Sequence, residues 1–122
     1  MQRIRFERTH VGRRRGLEEV TVTLGIGDRE VSGQARAGRR RPLAVAAAEA
    51  TFAALGERVP APRDLRVGEM EAGPVRIVRV SFSDGSGAYE GSCSRTNRTL
   101  EEAVARCVLD ALNPWWEANA DA

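Results

Sequence analysis

The chain has 122 residues, 42% hydrophobic and 30% charged, with a formal net charge of +2. That length supports a single core, the composition is that of a globular domain, and no apolar run nears the ~20 residues that span a bilayer. Two cysteines and one histidine are too few for a Cys/His metal cluster, so no metal is expected, and nothing in the sequence calls for a cofactor.

In chain order, residues 3–7 (Arg-Ile-Arg-Phe-Glu) read as a short strand with no signal-like apolar stretch after it, so a cytoplasmic location is expected. A polar loop holding His10 follows, then the triplet Arg13, Arg14, Arg15. Residues 20–24 alternate as a half-buried strand with Val20, Val22 and Leu24 on one face. The glycine-rich turn at residues 25–28 closes a hairpin onto a strand carrying Val31 and Gly33. A second triplet, Arg39, Arg40, Arg41, precedes Pro42 and a helix over residues 43–55, with Gly56 at its end. Residues 1–41 hold 11 Arg against 5 acids, whereas residues 42–122 hold 8 against 12.

After a proline-containing linker at residues 57–62 the pattern starts again. Residues 64–68 form a strand, and residues 78–82 another with Val78, Val80 and Phe82 on one face. The turn at residues 83–87 leads to a strand at residues 89–93. Residues 100–112 carry the i, i+3, i+4, i+7 stripe Leu100, Ala103, Val104, Cys107, Val108, Ala111, Leu112 of a one-sided helix. Asn97 or Thr99 caps it, and Asn113-Pro114 stops it. Trp115 and Trp116 then lie in an extended segment before a short acidic tail.

A constant shift of 58 superimposes the strands, placing Val20, Val22, Leu24 and Gly33 on Val78, Val80, Phe82 and Gly91. A shift of 57 superimposes the helices. The expected fold is therefore α+β: one domain over residues 1–122, built from two β-β-β-α repeats at about 1–57 and 63–114. Pseudo-twofold symmetry and helices packed on antiparallel sheets follow, because one such unit cannot bury its own faces.

The second repeat carries a resemblance. Residues 78–82, 89–93 and 102–113, in a duplicated β-β-β-α chain, resemble the C-terminal regulatory (allosteric, dimerisation) domain of 2-isopropylmalate synthases. The resemblance implies a ligand-binding, dimerising role without catalysis. The chain departs from that family before its last helix: a loop of the type Gly-x-Asp-x-Asp is replaced by Arg95-Thr96-Asn97-Arg98-Thr99. Any ligand must therefore differ from the family's.

Three groups of residues carry function in this reading. Arg39, Arg40 and Arg41, with Arg95 and Arg98 at the equivalent place, stand before helix N-termini, where free N–H groups attract anions. Phe52 and Leu109 fall off the helical stripes, and either widen the core or meet a partner; with Trp115 and Trp116 they are the candidate interface of a homodimer. Cys93 and Cys107 are expected to be buried free thiols, and no residues are assigned a catalytic role. The function that fits is a regulatory binding module for an anionic small molecule or an acidic partner; the alternative is binding to the phosphate backbone of RNA or DNA.

Overall fold

The computed structural model describes residues 3–119. Strands β1 (Ile4–Arg14), β2 (Leu17–Ile26) and β3 (Arg29–Ala37) form one antiparallel sheet, and helix α1 (Leu43–Leu55) follows it. Strands β4 (Arg63–Ala72), β5 (Val75–Ser83) and β6 (Ala88–Ser94) form a second, followed by helix α2 (Leu100–Asn119). The β-β-β-α unit thus occurs twice.

The register repeats as well as the order. Val22 pairs with Gly33 and Val80 with Gly91; Arg8 pairs with Thr23 and Arg66 with Ser81, each 58 residues on. Both outer pairings are irregular at matching places, between Phe6 and Arg8 and between Arg63 and Arg66. The first strands are much longer than five residues and lie three positions from where the sequence pattern sets their equivalence. Ile4, Phe6, Thr9 and Val11 are among the more buried positions of β1, but the irregularity between Phe6 and Arg8 breaks their alternation and only Ile4 is fully buried, so the length of the strand cannot be read from the pattern.

The strand valines form the core, as the period-2 pattern requires: Val20, Val22, Leu24, Val78 and Val80 are fully buried, and Phe82 nearly so. Gly33 and Gly91 explain how closely the helices sit. A Cβ on Gly33 would collide with the Ala50 carbonyl and the Ala54 amide; one on Gly91 would meet the Cys107 carbonyl and the Ala111 amide. Those helical residues are themselves 57 apart, so both units use the same strand–helix contact.

The two units interlock through their helices. α1 and α2 touch, α2 also packs on β1, and α1 reaches β4. Phe52 sets its ring edge-on to Phe82 of the other unit at 4.9 Å, and Phe82 stacks on Tyr89 at 5.3 Å. Phe52 and Leu109 are only 7% and 5% exposed, so of the two expectations for this flank, a wider core or a partner surface, it is the core that they join. The apolar arc is wide because each helix serves two sheets.

Helix α2 does not stop at Asn113-Pro114; it continues through the proline to Asn119. Asn113 is buried and spans the two units. Its Oδ1 accepts from the Ile4 N–H at 3.0 Å, and its Nδ2 donates to the Ile4 carbonyl at 3.3 Å. Both Ile4 groups lie on the free edge of β1, which Asn113 therefore covers. Pro114 is exposed, as is Asp110, whose carbonyl loses its helical donor and can face water. Asn119 Nδ2 donates to the Trp115 carbonyl at 2.8 Å, closing the last turn. Trp115 and Trp116 are consequently half-buried helical residues, not part of an extended segment.

Candidate functional site

The first arginine triplet belongs to β1 and its turn, not to a loop. Arg13 and Arg14 end the strand, and Arg15 (φ 53°) with Gly16 (φ 78°) makes the tight reversal into β2. His10 lies within β1, exposed and paired with Thr21. Because β1 runs the length of the sheet, its arginines arrive where β3 ends. Arg14 pairs with Leu17, and a Cβ on Gly38, just beyond β3, would lie 3.3 Å from the Leu17 side chain.

Gly38 and Arg41 bond reciprocally through their backbones, at 2.9 and 3.2 Å, closing a four-residue turn. Arg39 and Arg40 occupy its two corners and are exposed. The two triplets thus converge on one end of the first sheet, around Leu17, which is 41% exposed. Two open depressions meet there: one of about 320 Å³ between Arg14, Arg15, Leu17, Glu19 and Arg36, the other of about 400 Å³ between Gly16, Leu17, Glu18, Arg39, Arg41 and Leu43.

Seven arginines (13, 14, 15, 36, 39, 40 and 41) gather at this end with Glu18, Glu19 and Glu49. Arg36 approaches Glu19 at 3.7 Å, an exposed pair of little strength. Arg41 pairs with Glu49 at 3.3 Å, and Glu49 Oε1, shielded from water, takes no hydrogen bond of its own. Arg41 is thereby tied to α1. Among the described residues Arg13, Arg14, Arg15, Arg39 and Arg40 have no ion pair. The start of α1 adds no negative charge: Pro42 occupies its cap without a side-chain acceptor, and its first turn has no acid.

The second unit answers differently at each equivalent position. Glu71 stands where Arg13 stands in the first. Arg95, one of the expected anion ligands, is engaged by Glu69 at 2.8 Å, and Arg76 lies 3.8 Å from Glu69 and 3.7 Å from Glu71. Arg98 donates to Cys93 Sγ at 2.7 Å and to the Ser94 carbonyl at 3.1 Å, and pairs with Glu102 at 3.6 Å. Helix α2 is capped by Thr99, whose Oγ1 accepts from the Glu102 N–H at 3.2 Å, with Glu101 and Glu102 in its first turn. Asn97 sits in the preceding turn at φ 57° instead. Arg95 and Arg98 are therefore committed within the fold, and the candidate site is one-sided.

The thiols also differ from each other. Cys107 is buried and donates to the Val78 carbonyl at 3.1 Å; burial pushes it up to about 12. Cys93 is only half-buried, and both are free. Among the described residues no three His, Cys, Asp or Glu side chains gather as a metal site, and no helix is long and apolar enough to cross a membrane.

No protein-family model matches this chain, and no curated protein matches it.

Proposed function

We propose that this chain is a non-catalytic binding module whose ligand or partner is anionic and docks on the arginine end of the first unit. The convergence of Arg13, Arg14, Arg15, Arg39 and Arg40, unpaired, on one end of a sheet carries this reading. Like charges brought together cost stability, and the matching end of the second unit offsets its arginines with Glu69 and Glu71. The resemblance to a regulatory domain supports the absence of catalysis at the level of topology only.

Retention on a phosphate-bearing cation-exchange matrix tests the reading. The double variant Arg39→Gln/Arg40→Gln should elute at clearly lower salt. The charge-matched Arg66→Gln/Arg79→Gln, altered on exposed strand positions of the second unit, should elute near the wild type. Equal losses from both pairs would mean that net charge alone sets retention, and would defeat the assignment. A homodimer, if it forms, has the last turn of α2 as its place, since Phe52 and Leu109 are already covered. Sedimentation at micromolar concentration settles that: a strict monomer removes it.

A further inference from the structure

Resting on that reading, we infer that the partner is the phosphodiester backbone of a double-stranded nucleic acid, bound without regard to base sequence. The five unpaired guanidiniums are exposed, at a hairpin tip and a turn corner beside two open depressions. Exposed charges gain little from one small anion. They gain cumulatively from a polyanion, where every neutralised phosphate releases condensed counterions.

The spacing fits a duplex. Arg14 on β1 and Gly38 beyond β3 are two strand intervals apart, roughly 10 Å at about 4.8 Å per interval, on the scale of the ~12 Å major groove of B-form DNA. Arginines on the hairpin tip and on the β3–α1 turn can therefore reach separate phosphates. Among the described residues no aromatic side chain lines the depressions at this end; Phe52 and Phe82 are buried, and Trp115 and Trp116 belong to the last turns of α2. A stacking platform for unpaired bases is missing, which favours the backbone of a duplex over a single strand.

An acidic protein surface is the other polyanion to weigh. A protein interface needs an apolar core, and among the described residues this end offers the exposed Leu17 and the half-buried Leu43 between guanidinium groups. The charge distribution also suits a single orientation: residues 42–122 hold 8 Arg against 12 acids, so the rest of the chain is repelled by a polyanion that its arginine end attracts.

The experiment is fluorescence anisotropy with the full chain and labelled 20-base-pair duplexes of mixed sequence, DNA and RNA, from 50 to 200 mM NaCl. With four to five phosphates contacted, log K should fall against log salt with a slope of about −4, alike for unrelated sequences. Arg39→Gln/Arg40→Gln should flatten that slope by about 2, while Arg66→Gln/Arg79→Gln leaves it unchanged. Polyglutamate and inorganic pyrophosphate serve as competitors. If either binds at least as tightly as a duplex, with the same dependence on Arg39 and Arg40, the anionic-partner reading stands and the nucleic-acid inference falls. Tighter binding of single strands overturns the duplex assignment. If none of the probes binds, both readings fail.

Discussion

Replacing Gly33 by alanine adds one methyl group at the point where β3 meets α1. The new Cβ would overlap the Ala50 carbonyl and the Ala54 amide and come within 2.6 Å of the Ala53 carbonyl carbon. All three obstacles are helix backbone, which cannot rotate aside as a side chain would. The helix has to retreat, opening its contacts with Val22, to which Gly33 is paired, and with its neighbours. Overpacking of this kind costs about 1–3 kcal/mol, and a backbone collision belongs at or above the top of that range. For a chain of this length ~3 kcal/mol lowers Tm by roughly 10–15 °C. Gly91→Ala should behave alike, since it meets the Cys107 carbonyl and the Ala111 amide. Gly68, in β4, has nothing within 4 Å of its missing Cβ, so Gly68→Ala should be neutral or stabilising by about 0.5 kcal/mol. Thermal unfolding followed by circular dichroism separates the three. A Gly33→Ala protein within 0.5 kcal/mol of the wild type would refute the strand–helix contact and, with it, the shared geometry of the two units.

Asn113→Ala strips the Ile4 N–H and carbonyl of their partners and should cost about 1–3 kcal/mol, with faster hydrogen exchange at the Ile4 amide; unchanged exchange would mean that Asn113 does not hold β1. Asp84 accepts from the Ser86 amide, the Tyr89 hydroxyl, the Ser86 hydroxyl and the Gly87 amide, each at 2.8 Å, which holds its carboxyl well below the usual range. A depressed folded value gives stability that is present above the ordinary 3.8 and lost as pH falls below it, so Asp84→Asn should flatten the acid limb of the stability curve, and an unaltered limb refutes the turn. Cys107, raised from 9.0 to about 12, favours the fold below pH 9 and withdraws that contribution as pH rises toward 12. At pH 8 a thiol reagent should label Cys93 quickly and Cys107 only as the chain unfolds; equal rates would contradict the burial.

The duplicated architecture was legible where both faces of an element differ. Val20, Val22 and Leu24 alternate against polar neighbours, as do Val78, Val80 and Phe82, and the structure buries all six. Strand β1 was not legible at full length, because only Ile4 is buried and its other positions mix half-buried and exposed residues. The site suffered from the same gap. Arg13 to Arg15 and Arg39 to Arg41 are visible as triplets, yet their meeting depends on β1 being eleven residues long, at about 3.3 Å per residue. A five-residue strand leaves the first triplet in a loop with no defined neighbour. The end of α2 failed for another reason. Asn-Pro is a sound local stop signal, but here the helix runs through it, with Asn113 tied by two hydrogen bonds to Ile4, 109 residues away, and Pro114 on the exposed face.

The two repeats act as controls for one another. Where packing dictates the residue they agree: glycine at 33 and 91 because helix backbone fills the space, valine at 20, 22, 78 and 80 because the sheet needs a buried apolar face. At the tips of the first hairpins water fills the space, and packing dictates nothing. There Arg13 corresponds to Glu71, and an unpaired cluster in one unit corresponds to interlocked ion pairs in the other. The neutral tip shows that the scaffold has no need of a charged end. Gathering five arginines without ion pairs opposes folding through mutual repulsion, which Glu18, across from Arg13, offsets only in part. The proposed anionic partner would supply negative charge there, and so account for both the convergence and its confinement to one unit.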